Sequence, residues 1–273
     1  MTFTQISVER DGPLLWLTLN RPQSANSITI AMAEEFCTAV RQAEADPDCH
    51  VLILCGAGSF FCSGGDVLGM AGSEDPAGFL ATLAGTMHEG LLALAESRLV
   101  TVAAVDGPAA GAGLGLVLNA DFVLASPAAS FRSAYGAVGL TPDCGVSYLL
   151  PQMVGPRRAA EIGLGGRVAT AEEALDWGLI SELVESPDLT GRARQLGLQL
   201  AEGATQALGP TKRLLNAGRL AGYAGHLADE LETIAFMTSH PDTRNRIAAF
   251  ARGGKRSVGA AHSEEGTRPA EVR

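Results

Sequence analysis

Apolar and polar positions along this chain follow two regimes: short strand-like runs through the first two thirds, helical spacing through the last. Ile6–Val8 and Leu14–Leu19 flank the turn signal Asp11-Gly12 and predict a β-hairpin. Ala31–Ala45 spaces its apolar residues as a helix does and stops before Asp46-Pro47-Asp48, where proline disfavours helix in the residue preceding it. Val51–Leu54 reads as a short buried strand, followed by a loop over Gly56–Gly65 and a helix over Gly78–Glu96. Thr101–Val105 is the next strand, and a Gly/Ala-rich turn leads from it into a helix over Gly113–Asn119. Phe122–Ala125 and Ser130–Phe131 follow as strands. Strands alternating with helices predict an α/β domain rather than a sandwich.

The last third loses its strand signal. Thr170-Ala171-Glu172-Glu173 is a capping-box signature that opens a helix ending near Gly178. Thr190–Glu202, Pro210–Leu220, His226–Ser239 and Thr243–Ala251 all read as helices. The expected organisation is a core over residues 1–200, a helical region over 201–256, and a small, polar, disordered tail over 257–273.

Composition narrows the function classes. The chain has 273 residues, 47% apolar and 18% charged, which excludes a largely disordered or fibrous chain. A net charge of −10 disfavours broad nucleic-acid binding. No run approaches about 18 uninterrupted apolar residues, so no membrane span is expected. Met1–Gly12 carries no leader signature, and an odd five cysteines without a CxxC pair predict reduced thiols in a cytoplasmic protein. His50, His226, His240 and His262 fit no metal-ligand spacing, so no metal is expected.

Two glycine-rich turns each follow a strand: Phe60-Phe61-Cys62-Ser63-Gly64-Gly65-Asp66 and Asp106-Gly107-Pro108-Ala109-Ala110-Gly111-Ala112-Gly113. The second ends at a helix N-terminus, where free N–H groups concentrate positive charge. Two such turns facing one point would offer two backbone donors to an oxyanion. Gly111-x-Gly113-x-Gly115 does not match the dinucleotide fingerprint, and no P-loop Lys-Ser/Thr follows.

These turns, together with Leu19-Asn20-Arg21-Pro22 and Asn26, Gly139-Leu140-Thr141-Pro142-Asp143 and Ala174–Ile180, resemble the crotonase superfamily, the enoyl-CoA hydratase/isomerase family. The matching segments occur in family order over about residues 5–256. The resemblance implies a spiral of ββα units, a helical C-terminal trimerisation region giving a homotrimer or a dimer of trimers, and an acyl-CoA thioester as substrate. Coenzyme A then belongs to the substrate, and no separate cofactor is implied. The backbone N–H groups of Gly65 and Ala112 would hold the thioester oxygen, each such donor contributing roughly 10²–10³ in rate. Ala112 stands where the family usually has glycine, and the N–H survives the exchange. Coenzyme A would lie along Gln23–Ala25 and Ser63–Val67, including Ser63, Gly65, Asp66 and Val67. Its phosphates would meet Lys255, and Phe250 would close the acyl pocket.

The acid–base groups depart from the family's hydratases, whose two glutamate positions fall here on Gly115 and Tyr135. Asp143 is the carboxylate that remains, in a stretch resembling the isomerases of phenylacetate degradation. The expected activity is therefore double-bond migration from 3-enoyl-CoA to 2-enoyl-CoA, with ring-derived acyl groups included. Asp143 would be the single acid/base, and Tyr135 and His88 auxiliary hydrogen-bonding groups. Asp143 and His88 also match the 4-chlorobenzoyl-CoA dehalogenase branch, although Tyr135 replaces that branch's tryptophan. Hydration through water positioned by Asp143, dehalogenase- or thioesterase-type hydrolysis, and a non-catalytic acyl-CoA-binding trimer stay open as alternatives.

Overall fold

Strands such as Leu14–Leu19, Val51–Gly56 and Val100–Val105 are apolar at nearly every position, the pattern of a parallel sheet covered on both faces. The computed structural model describes the backbone of residues 3–261 and the side chains of residues 3–253. In chain order, β1 (Ile6–Asp11) and β2 (Leu14–Leu19) form the hairpin, and α1 (Ile30–Ala45) crosses to β3 (Val51–Gly56). Then α2 (Val67–Gly72) and α3 (Pro76–Glu96) lead to β4 (Val100–Val105). The chain continues through β5 (Pro108–Ala110), α4 (Ala112–Leu118), β6 (Phe122–Ala125) and β7 (Ser130–Arg132). Next come α5 (Val146–Val154), α6 (Pro156–Gly163), β8 (Ala169–Thr170), α7 (Ala171–Asp176) and β9 (Glu182–Leu183). Four helices finish the chain: α8 (Ser186–Glu202), α9 (Thr205–Arg219), α10 (Tyr223–Met237) and α11 (Pro241–Ala261).

The main sheet has the order β1-β2-β3-β4-β6-β9, antiparallel only at the hairpin. A second sheet has the order β5-β7-β8. After β3, β4 and β6 the chain drops into the second layer: Cys62 bridges Ala109 after β3, β5 follows β4, and β7 follows β6. This is the expected α/β spiral. One face of the main sheet packs Leu14, Val51, Ile53 and Val102 against Leu189 and Ala193 of α8. The other face turns Leu17, Leu52 and Leu54 toward Phe36 of α1 and Leu91 of α3.

Most expected elements appear within a few residues of their predicted bounds. The capping box forms, Thr170 Oγ1 accepting from Glu173 N–H at 3.2 Å and Glu173 Oε2 from Thr170 N–H at 3.1 Å. Other expectations need correction. α9 begins at Thr205, so Pro210 lies inside the helix rather than opening it. The pattern did not predict α2, α5 or α6; α5 carries Pro151 in its interior and α6 opens at Pro156. The tail expected from residue 257 starts within α11, which runs to Ala261, and residues 262–273, His262 included, lie outside the described residues. By length and hydropathy α3 could cross a bilayer, but here it packs beside α1 and α10. The five cysteines are unpaired.

Candidate active site

Backbone pairing alone shapes the first turn. Ile28 N–H donates to Gly64 O at 2.8 Å and Asp66 N–H to Ile28 O at 2.9 Å, which leaves Gly65 N–H on the side away from that ladder. The second turn is tied to the first, Cys62 N–H donating to Pro108 O at 3.2 Å and Ala110 N–H to Cys62 O at 2.9 Å. Ala112 opens α4, so its N–H has no intrahelical acceptor. Among the described residues, neither Gly65 N–H nor Ala112 N–H is donated to a backbone or side-chain acceptor. Both residues line a cavity of about 80 Å³. Its walls are chiefly apolar, with Leu80, Leu83 and Met87 from α3, Val138, Leu140, and Ile234 from α10.

Asp143 enters this cavity from the turn before α5 and is 5% exposed. Its Oδ1 lies 3.1 Å from Nε2 of His88, a buried residue of α3. Cys144 N–H reaches the same Nε2 at 3.3 Å, so the nitrogen either donates to Asp143 or accepts from Cys144, according to tautomer. Tyr135 also lines the cavity, and its hydroxyl donates to the backbone O of Asp143 at 3.1 Å. Burial, reinforced by the charge of Asp143, pushes the Tyr135 phenol well above its ordinary pKa, so it stays a neutral donor. Burial likewise raises the Cys144 thiol. His88, Asp143 and Cys144 also bring one potential ligand atom each within 4.8 Å of one another, a grouping that histidine spacing alone did not reveal.

The other candidates divide. Ser63, Asp66 and Val67 line the cavity, and Ser63 N–H donates to Ala25 O at 3.0 Å, which joins the two segments expected to follow coenzyme A. Gln23 is exposed beside them. Asp66 Oδ1 caps α2 by accepting from Gly69 N–H at 3.0 Å. Asn26 is structural: buried, with Nδ2 donating to Ala57 O and Phe60 O at 2.8 and 2.7 Å. Phe250 is exposed on α11 and does not line the cavity. The side chain of Lys255 lies outside the described residues.

Residues 9–256 match the family model described as enoyl-CoA hydratase/isomerase. The chain belongs to this family. Among its relatives, 1,2-epoxyphenylacetyl-CoA isomerase of Escherichia coli (strain K12) is 34% identical over 254 residues, covering 92% of this chain and 95% of that protein. 4-Chlorobenzoyl coenzyme A dehalogenase-2 of an Arthrobacter species is 28% identical over 247 residues, 90% of each chain. The crystal structure of an enoyl-CoA hydratase from Mycobacterium avium subsp. paratuberculosis superimposes with a TM-score of 0.84 at 29% identity, covering 90% of this chain and 99% of that one. This member of the enoyl-CoA hydratase/isomerase family is thus an acyl-CoA enzyme whose core combines two free backbone donors with one turn-borne carboxylate.

The structure also shows why this family member has no side chain at residue 115. A Cβ there would lie 2.6 Å from Cys144 Cβ and 2.7 Å from Cys144 O, so the Asp143 turn occupies the space a glutamate would need. Sequence reading missed Glu230, whose carboxylate is buried behind that turn. Its signal was present: Tyr223, Leu227 and Ile234 form the buried stripe of α10, and Glu230 interrupts it.

Proposed function

We propose that this enzyme moves a double bond in an acyl-CoA thioester from the 3-enoyl to the 2-enoyl position. The observation that carries the reading is the meeting of Asp143, Gly65 and Ala112 at one apolar cavity. Asp66, the other carboxylate lining it, caps α2. Asp143 takes the proton from C2, and the electron pair flows through the carbonyl to give a dienolate. Gly65 N–H and Ala112 N–H stabilise its oxygen, fixed in advance by backbone bonding. Asp143 then returns the proton at C4, and the double bond forms between C2 and C3. One carboxylate serving both carbons needs no bound water. His88 suits both states of that carboxylate: Nε2–H donates to the anion, and the other tautomer accepts from the protonated acid.

Conversion of a 3-enoyl-CoA in D₂O, followed by mass spectrometry, tests this. Wild type is expected to give 2-enoyl-CoA, carrying deuterium only to the extent that the proton on Asp143 exchanges with solvent before its return, and Asp143→Asn to lower kcat by about 10²–10⁴-fold. Full activity in the variant, or a 3-hydroxyacyl product from wild type, overturns the assignment. The contact between His88 and Asp143 favours one second reading, in which Asp143 attacks an aryl carbon and His88 activates water. Halide release from 4-chlorobenzoyl-CoA would establish that reading instead. Exposed Leu214 and Leu215 on α9 and Phe236 on α10 support the trimeric assembly that the family resemblance implies.

A further inference from the structure

The turn that carries Asp143 is held in an unusual backbone conformation. Cys144, which is not a glycine, has φ +58°, and Gly145 follows at φ +78°. Two consecutive left-handed residues turn their N–H groups outward, where they need acceptors from elsewhere in the fold. The Cys144 N–H finds His88 Nε2 at 3.3 Å, and a single carboxylate takes the Gly145 N–H together with the start of the following helix. Glu230 Oε2 accepts from Gly145 N–H at 2.7 Å, and Oε1 accepts from Ser147 N–H at 3.0 Å and from the Ser147 hydroxyl.

Glu230 therefore sits at the N-terminal end of the nine-residue α5, where N–H groups lack intrahelical partners and a negative charge is favoured. Its helix is committed to the same turn. A Cβ on Gly145 would lie 2.2 Å from the Tyr223 hydroxyl, and that hydroxyl donates to Asn119 Oδ1 at 2.8 Å. Asn119 Nδ2 in turn donates to Cys144 O at 3.3 Å. At the outer end, His226 Nε2 lies 2.8 Å from Ser147 Oγ. Glu230 itself does not line the cavity, whereas Asp143 and Ile234 do.

We propose that Glu230 is a positioning residue whose carboxylate clamps Gly145 and Ser147, so that the turn holds Asp143 aimed at the acyl group. The inference rests on the reading of Asp143 as the proton-transfer group. Burial pushes the Glu230 carboxyl above its ordinary 4.5, and the Ser147 and Gly145 donors, which bind Glu230 and the turn to each other, oppose that rise. Both Glu230 oxygens accept, and an amide has only one that can. Glu230→Gln keeps the shape but sets an N–H₂ against a backbone N–H, releasing one side of the turn.

The test pairs turnover with amide hydrogen exchange on full-length Glu230→Gln and wild type. For isomerisation of a 3-enoyl-CoA, kcat is expected to fall on the order of 10²-fold, as for an ångström-scale misplacement, while KM stays within about threefold. Peptides spanning 140–150 should exchange their Gly145 and Ser147 amides at least about tenfold faster, as a locally opened segment does. A purely structural role would lower the melting temperature without this kcat-selective loss. If Glu230→Gln does not fold, Ser147→Ala, which removes only the hydroxyl donor, carries the same measurements with smaller shifts in the same direction. Unchanged exchange, kcat within threefold of wild type, or a loss confined to KM overturns the proposal. If wild type isomerises no 3-enoyl-CoA, the isomerase reading falls, and the exchange rates at Gly145 and Ser147 still decide whether Glu230 is the clamp.

Discussion

Gly115→Ala separates two opposing physical effects at the centre of the site. In an open helix the exchange stabilises by about 1 kcal/mol, because glycine loses more backbone entropy on folding. Residue 115 of α4 is not open: the new Cβ falls 2.6 Å from Cys144 Cβ, some 0.8 Å short of the 3.4 Å at which ordinary contact begins. Overpacking of this kind costs about 1–3 kcal/mol. Relief requires Cys144 to retreat, which weakens the 3.3 Å contacts of its N–H with His88 and its O with Asn119. The net effect is a loss of up to about 2 kcal/mol, or a melting temperature lower by up to about 4 °C. Displacing Asp143 by most of an ångström should cost about 10²-fold in kcat. Differential scanning calorimetry and the D₂O isomerisation assay read the two quantities. A variant that melts higher than wild type and keeps its kcat would refute the claim that Cys144 fills the space beside residue 115.

Lys212 is 6% exposed, with Nζ 2.9 Å from Asp121 Oδ2 and donating to Leu99 O at 2.8 Å, so Lys212→Met leaves a mostly buried carboxylate uncompensated. Urea unfolding should show a loss of about 3–5 kcal/mol. At the hairpin's start, hydrogen bonds from Thr4, Gln5 and Ile6 outweigh the desolvation that would raise the Glu35 carboxyl, and hold it below its ordinary 4.5. A carboxyl depressed by folding adds stability that is present above its unfolded pKa and lost as pH falls through the folded value. Glu35→Gln should therefore be less stable than wild type at pH 7, with the gap closing as pH falls below 4.5 and through the folded value in urea titrations. A gap independent of pH would show that the carboxylate's charge contributes nothing.

The spiral was legible because its strands are short apolar runs separated by glycine and proline, and periodicity carries that signal. α5 and α6 were not, since Pro151 and Pro156 fall where a reader expects breaks, and only tertiary packing settles such cases. The two donor turns could be named because their role belongs to backbone and glycine positions. His88 could be read as one candidate among several, but its 3.1 Å approach to Asp143 joins α3 to a turn 55 residues away. No local pattern encodes that contact. Glu230, 85 residues beyond Gly145, was visible only as a charge on an apolar stripe. The vacancy of carboxylate at 115 was legible, while its cause, the intrusion of Cys144, was not.

The bridge between Cys62 and Ala109 and the pairing of Ile28 with Gly65 are made by main-chain atoms alone. On the proposed reading, most substitutions at the non-glycine positions around them leave the thioester-activating half of the site standing. In the same reading, the proton-handling half rests on Asp143 and on the side chains that hold it and its turn, His88, Tyr135 and Glu230. A new reaction then calls for new side chains around the cavity, while the main-chain atoms that would make the α-proton acidic stay as they are.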